Sequence, residues 1–233
     1  MTISAVRHGT DQIHRSLRAD ILGAALLPGA AMSEARMALR FGVSRTPVRE
    51  AFKRLVEEGF LVVVPQVGTF VAPIDLAAVY DSQFVRETLE CRTVALAAER
   101  LDEEGRARLD ALVAQQAEAM QAGDRVSFFR LDEAFHAELS RLARHPSVWS
   151  MIETVKAQLD RVRCLSLETP TWSDMILSQH REIAARVGAG DAAGAEAAMR
   201  AHLRTVFDAI ETIAQAHLDA FDKSRLGAKP PGP

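Results

Sequence analysis

Phe41-Gly42-Val43-Ser44-Arg45-Thr46-Pro47-Val48-Arg49-Glu50-Ala51-Phe52-Lys53-Arg54-Leu55 reads as a sharp turn feeding a short helix. Gly42 permits the left-handed backbone that closes a preceding helix, and Ser44 is placed to cap the next one. Pro47 falls in the first turn, where its missing N–H removes no intrahelical bond. Val48, Ala51, Phe52 and Leu55 recur at helical spacing and should face a core. Arg45, Arg49 and Lys53 follow at four-residue steps on a separate stripe.

A basic stripe alone is usually a solvated face. Here a second capped helix, Ser33-Glu34-Ala35-Arg36-Met37-Ala38-Leu39-Arg40, lies immediately upstream. Two helices joined by such a turn read as helix-turn-helix, the second presenting its N-terminal residues outward.

Outward from this pair, Ile13, Leu17, Ile21 and Leu22 mark a bracing helix from Asp11 onward, with residues 1–10 patternless before it. Gly59 closes the second helix of the pair. The runs 60–65 and 69–72, separated by Gln66-Val67-Gly68, are hairpin grammar. Pro73 ends this small domain, placed at residues 1–74. Residues 75–222 are expected to form an all-helical bundle of six helices, about 15 to 30 residues each, with breaks near 103–105, 123, 145–146, 169–170 and 188–190. The Gly- and Pro-rich residues 223–233 read as a disordered tail. The fold class expected is mainly α: a winged helix-turn-helix with a small β-hairpin wing, then an antiparallel helical bundle.

The charge divides along the same line. The chain of 233 residues carries a net charge of -3, yet residues 1–74 hold nine Lys/Arg against six Asp/Glu and the rest nineteen against twenty-five. A basic head and an acidic body are what a nucleic-acid reader with a second domain would show. No apolar run approaches the ~18 residues of a membrane span. The start, Met1 to His8, shows no export signal, and Cys91 and Cys164 are too few and too far apart for a disulfide framework, so a reducing cytoplasm is expected.

Three of the seven histidines lie on helix faces that look inward. His136 stands four residues after Asp132 on the flank of the stripe Phe128, Leu131, Phe135, Leu139 and Leu142. His180 sits amid Ile176, Ile183 and Val187, and His202 shares a face with Val206, Ala209, Ile210 and Ile213. One histidine on an apolar face is usually a satisfied core residue; three with an aspartate would be costly to bury without a partner that suits all four, such as a divalent cation. His8, His14 and His145 lie elsewhere, and His217 is fifteen helical residues from His202, about 22 Å.

These segments resemble a known family. Pro28-Gly29, Ser33-Glu34 and Val43 to Ala51 look like the winged helix-turn-helix of GntR-type bacterial transcription regulators. The resemblance implies that Arg45 and Arg49 contact operator DNA in the major groove, that Ser44 and Thr46 reach phosphate or base edges, and that Lys53 and, more weakly, Arg36 assist. It places the wing tip, Gly68, near the minor groove, although this tip carries no Arg, Lys or His; Gly68 could also serve only to make the turn.

Leu131-Asp132-Glu133-Ala134-Phe135-His136, His180-Arg181-Glu182-Ile183 and Met199-Arg200-Ala201-His202-Leu203 are similar to the three segments of the FCD domain in the FadR-type branch, and the expected six helices fit its VanR-like subgroup. The resemblance implies a metal held by Asp132, His136, His180 and His202. One oxygen and three nitrogens suit Zn²⁺ foremost, or Ni²⁺ or Mn²⁺. It implies an effector cavity on the first bundle helix with Arg86 as a carboxylate partner; Arg161 and Arg163, on a neighbouring helix, rank behind. Arg86 could equally form a surface ion pair with Glu90, four residues on.

The expectation is a homodimeric, metabolite-responsive regulator, a repressor by preference, binding an inverted-repeat operator and a small carboxylic acid. Two readings stay open beside it: a metalloenzyme with a DNA-binding appendage, for which Glu138 points away from His136 and no general base is evident, and a regulator whose metal is structural or is itself the signal.

Overall fold

The computed structural model describes residues 2–166, 170–216 and 220–222, with side chains described for 9–166, 171–213 and 220–222. The chain forms two compact units, one of residues up to Leu76 together with those from Ile213, the other of residues 77–212. The tail expectation for residues 223–233, and His217, fall outside the described residues.

In the first unit, α1 (Thr2–Leu22) packs Ile13, Leu17 and Ile21 inward, as their spacing requires. It begins well before Asp11, a correction to the expected patternless start. Once a segment is packed, backbone hydrogen bonds extend a helix without an apolar stripe, and residues 2–10 contain no proline to stop it. After the two-residue strand β1 (Ala31–Met32) come α2 (Glu34–Phe41) and α3 (Arg45–Glu57). The Ser33 hydroxyl accepts from the Arg36 N–H at 3.4 Å, and Gly42 adopts φ 63° to turn the chain. Ser44 occupies the N-cap position of α3, but its side chain makes no capping bond.

Val48, Ala51, Phe52 and Leu55 are buried, the face expected of them. Gly59, at φ 76°, ends α3, and the Phe60 N–H donates to the Leu55 carbonyl at 2.8 Å. β2 (Leu61–Val64) and β3 (Gly68–Val71) form the wing hairpin, and β1 extends it to a three-stranded antiparallel sheet ordered β1-β3-β2. Pro65 and Gln66 make the turn, Val67 N–H donating to Val64 C=O at 3.1 Å with Gln66 at φ 63°. Ile74 forms a parallel bridge with Phe221 in the same unit.

The second unit is built from α4 (Leu76–Arg100), α5 (Glu103–Gln121), α6 (Arg125–Leu142), α7 (Ser147–Val155), α8 (Ala157–Ser166), α9 (Pro170–Gly188) and most of α10 (Ala192–Ala216). The six expected helices therefore contain seven helical segments, because the fourth is broken at Lys156. No Gly or Pro marks that break. Its stabilisation is largely tertiary: the Ser82 hydroxyl donates to the Val155 carbonyl at 2.6 Å and the Lys156 ammonium is bound by Glu133 of α6, beside the local pair with Asp160 at 2.6 Å. Asp102 and Asp124 cap α5 and α6 by accepting from Gly105 N–H at 2.7 Å and Ser127 N–H at 3.0 Å. Gly105 has a packing reason as well, since a Cβ there would meet the Leu142 side chain at 2.3 Å.

The core of this unit joins Val94, Leu109, Phe135, Leu139, Ile183, Val187, Met199 and Leu203 from α4, α5, α6, α9 and α10. Phe128, Leu131, Ala119 and Leu177 form a smaller cluster beside it. The two clusters bracket the inward faces on which the histidines stand.

Candidate functional site

In the first unit Ser44, Arg45, Thr46, Arg49, Lys53, Arg36 and Gly68 are all exposed, because the core takes the opposite face of α3. Glu34 of α2 reaches across the turn: Arg49 donates to its two oxygens at 3.1 and 3.0 Å, and Arg45 lies 3.8 Å from it. This contact raises the pKa of the already fully charged Arg49. Lys53 pairs with Glu50 at 2.9 Å, and Arg36 donates to the Ala31 carbonyl at 2.7 Å. These ion pairs are exposed and screened by solvent, so they orient the side chains without tying them up.

In the second unit His136, His180 and His202 converge. His202 Nε2 lies 3.3 Å from His136 Nε2 and 3.4 Å from His180 Nε2, and all three rings are buried. One ligating nitrogen from each lies within 4.8 Å of the others. Two outer nitrogens are hydrogen-bonded, His180 Nδ1 with Gln116 Oε1 at 2.7 Å and His202 Nδ1 with Gln179 Oε1 at 2.8 Å, while His136 Nδ1 lies against the Glu90 carboxylate without hydrogen-bond geometry. Phe135 stacks on His180 at 4.3 Å between ring centroids and Trp149 on His136 at 5.8 Å, which fixes the ring planes.

The hydrogen-bond network assigns the tautomer of His180. The Gln116 amide nitrogen donates to the Leu131 carbonyl at 3.1 Å, so its oxygen must face His180 and Nδ1 must carry the hydrogen. Nε2 is then a lone pair. Burial pushes the pKa of His180 down to about 3, against the pull of Asp132. For His202 burial does the same, assisted by His180 and His136, and carries it well below its ordinary value. Three imidazoles thus turn a nitrogen toward one point, a donor set that fits a divalent cation.

Asp132 stands at this point without fully joining it. Its Oδ1 is 3.6 Å from His180 Nε2 and its Oδ2 4.0 Å from His136 Nε2, while Oδ2 is in contact with Arg163 Nη2. Burial opposes its charge, but Arg163 and the three histidines hold its carboxyl far below the usual carboxylate range.

Beside the histidines is a small recess of about 40 Å³, partly open to solvent, whose wall includes Arg86, Phe128, Asp132, Arg163, Trp172 and His202. Arg86 does pair with Glu90, Nε to Oε1 at 2.6 Å, but the expected surface pair is a buried one, the side chains 3% and 2% exposed. Burial opposes ionisation of Glu90, yet Arg86 and His136 bring it down to about 2. The Arg86 Nη2 atom is buried and accepted by no oxygen among the described residues. Arg161 is buried away from the recess wall, and its Nη1 donates to Gln158 at 3.0 Å. Glu138 is held by Arg108 at 2.9 Å and Arg141 at 2.6 Å.

Gln116, Gln179 and Glu90's contact with His136 were missed from sequence. Gln116 left a signal: it falls on the apolar face of α5 made by Leu112, Val113, Ala119 and Met120, where a buried amide needs a partner.

A three-helix head with a β wing and an exposed arginine face on its last helix defines a winged helix-turn-helix DNA-binding protein. The sequence pattern of the bacterial regulatory proteins of the gntR family matches residues 10–71, and that of the FCD domain matches residues 81–205. The chain belongs to the GntR family of transcription regulators, with an FCD domain following the DNA-binding domain. It is 44% identical over 206 residues, 88% of this chain and 86% of the relative, to an HTH-type transcriptional regulator in an unstable DNA locus of Streptomyces ambofaciens. It is 36% identical to the HTH-type transcriptional repressor RspR of Escherichia coli K12, covering 91% and 93% of the two chains. The solved structure of E. coli McbR/YncC superposes with a TM-score of 0.69 at 25% identity, over 90% of this chain and 98% of that one. No helix among the described residues is long and apolar enough to cross a membrane.

Proposed function

We propose that this regulator is an operator-binding repressor that responds to a small carboxylic acid at a divalent-metal centre in its helical domain. The observation that carries the reading is the convergence of three buried imidazole nitrogens, with oxygens facing the outer nitrogens of His180 and His202. His136, His180 and His202 would hold the ion, with Asp132 as the fourth ligand and Zn²⁺ foremost over Ni²⁺ and Mn²⁺. When bound, the ion would supply Lewis-acid positions for a carboxylate oxygen.

Arg86 and Arg163 face the same recess and suit the remaining charge of the acid. The domain that reads DNA spans residues 1–74 and the effector domain residues 75–222. Acting in the cytoplasm as a homodimer, the protein would set two recognition helices in successive major grooves of an inverted repeat. Arg45 and Arg49 would read bases, guanine above all, and Lys53, Ser44, Thr46 and Arg36 would contact phosphate or base edges, with Gly68 at the wing tip. Acid binding releases DNA only insofar as the acid prefers one of two states of the dimer.

The test is an operator titration with metal-free protein, then with Zn²⁺, then with Zn²⁺ and a panel of small carboxylic acids, paired with elemental analysis of the purified chain. Weakening of operator affinity by an acid only when Zn²⁺ is present supports the reading. A change produced by Zn²⁺ alone would make the metal the signal. Absence of metal from protein purified without chelator, together with no uptake on addition, would overturn it.

A further inference from the structure

Arg163 is enclosed by three carboxylates. Its Nη2 is in contact with Asp132 Oδ2, and its Nη1 donates to Glu133 at 2.8 Å and to Asp160 at 3.3 Å. The guanidinium carbon lies 4.9 Å over the Phe129 ring. Burial works against its charge, but Asp132, Glu133 and Asp160 hold its pKa well above that of a free guanidinium, so it is a permanent cation in the wall of the recess.

Asp132 is thereby placed between two kinds of partner. On one side is Arg163, in contact; on the other are imidazole nitrogens at 3.6 and 4.0 Å, beyond hydrogen-bond reach. The carboxylate leans toward the guanidinium, and the histidines converge without it. Arg163 does not depend on Asp132 in return. With Asp132 withdrawn it would keep Glu133 and Asp160 on Nη1, and Glu133 would still have Lys156. A buried carboxylate, by contrast, cannot stand without a cation in contact.

Resting on the metal reading above, we propose that Arg163 is the resident counter-cation of Asp132. It neutralises the carboxylate while no divalent ion is bound and must release it for the carboxylate to turn to the histidines. Release leaves the Nη2 edge of Arg163 without Asp132 in the wall that also contains Arg86, whose own Nη2 lacks an acceptor among the described residues. The capacity of Arg163 to take a ligand carboxylate is then conditional on the ion, and by linkage the ion is favoured by that carboxylate to the same degree.

The experiment uses the full chain and Zn²⁺ alone. The guanidinium resonances of Arg163, assigned by their loss in Arg163→Met, are followed in the wild-type protein as one equivalent of Zn²⁺ is added. Calorimetric titrations of wild type and Arg163→Met give the affinities. The expected results are a shift of the Arg163 resonances on metal addition and zinc binding about tenfold tighter in Arg163→Met, the equivalent of one charge-assisted hydrogen bond no longer broken. Resonances that stay in place overturn the proposal whatever the affinities do, as does an affinity in the variant equal to or weaker than wild type. If wild type and variant both take up no zinc, the metal reading itself fails and this proposal falls with it.

Discussion

Gln116 Oε1 lies 2.7 Å from His180 Nδ1, and neither side chain is exposed to solvent. The amide is in turn anchored on the Leu131 carbonyl, so a residue on α5 fixes which nitrogen of a ring on α9 points inward. Gln116→Leu should therefore lower metal affinity by about 10–100-fold while leaving the helical circular dichroism spectrum unchanged. Zinc binding by the variant at wild-type affinity would mean that the tautomer is set some other way.

Removing a proposed ligand should act on metal and stability together. His180→Ala is expected to lose bound zinc by elemental analysis and to lose the rise in Tm that zinc gives the wild-type protein. A variant that still takes up a full equivalent of metal would remove His180 from the ligand set.

On the DNA-binding face, Arg49→Ala should cost about 1–3 kcal/mol of operator affinity and relax base preference, with its effect on non-specific DNA limited to one charge. The residue is exposed and outside the core, so folding should not change. Electrophoretic mobility shifts with operator and scrambled DNA would show this; equal losses on both would make Arg49 a phosphate contact only.

Acid should destabilise the metal-free protein. In the unfolded chain a histidine titrates near ~6.5, whereas burial holds His180 near about 3 and His202 well below its ordinary value. The unfolded state thus binds more protons below ~6.5, so this stabilisation is full above that pH and declines as pH falls toward the folded-state values. Asp132 and Glu90, held ionised in the fold, lose their contribution over a lower range, below the ~4 of free carboxyls. The Tm of chelator-treated protein should fall between about pH 7 and about pH 4.5; a flat profile would contradict the buried neutral histidines.

Phe135 ties the core to the site, since it is fully buried and stacks on His180. Phe135→Ala should cost about 3–5 kcal/mol of unfolding free energy and also weaken metal binding. Chemical denaturation with and without zinc would separate the two losses.

Much of this molecule could be read from local pattern. The helix-turn-helix is written in neighbouring residues, with Ser33, Gly42 and Pro47 at its ends and Val48, Ala51, Phe52 and Leu55 on one face, so spacing and capping suffice to place Arg45 and Arg49 outside. The inward aim of His136, His180 and His202 was likewise a matter of helical period. The break at Lys156 was not legible, because a hydroxyl on α4 and a carboxylate on α6, both distant in sequence, help to stabilise it.

The sequence by itself determined the winged head, the helical body and which side chains each helix turns to its core, because those depend on contacts within a few residues. Only the tertiary structure decided that three imidazoles from α6, α9 and α10 converge, His202 within 3.4 Å of each of the other two, that Gln116 and Gln179 hold two of their outer nitrogens with Glu90 against the third, and that Asp132 is in contact with Arg163. Those relationships join residues up to 66 positions apart. They are fixed by how whole helices pack, which no periodicity along a single helix encodes.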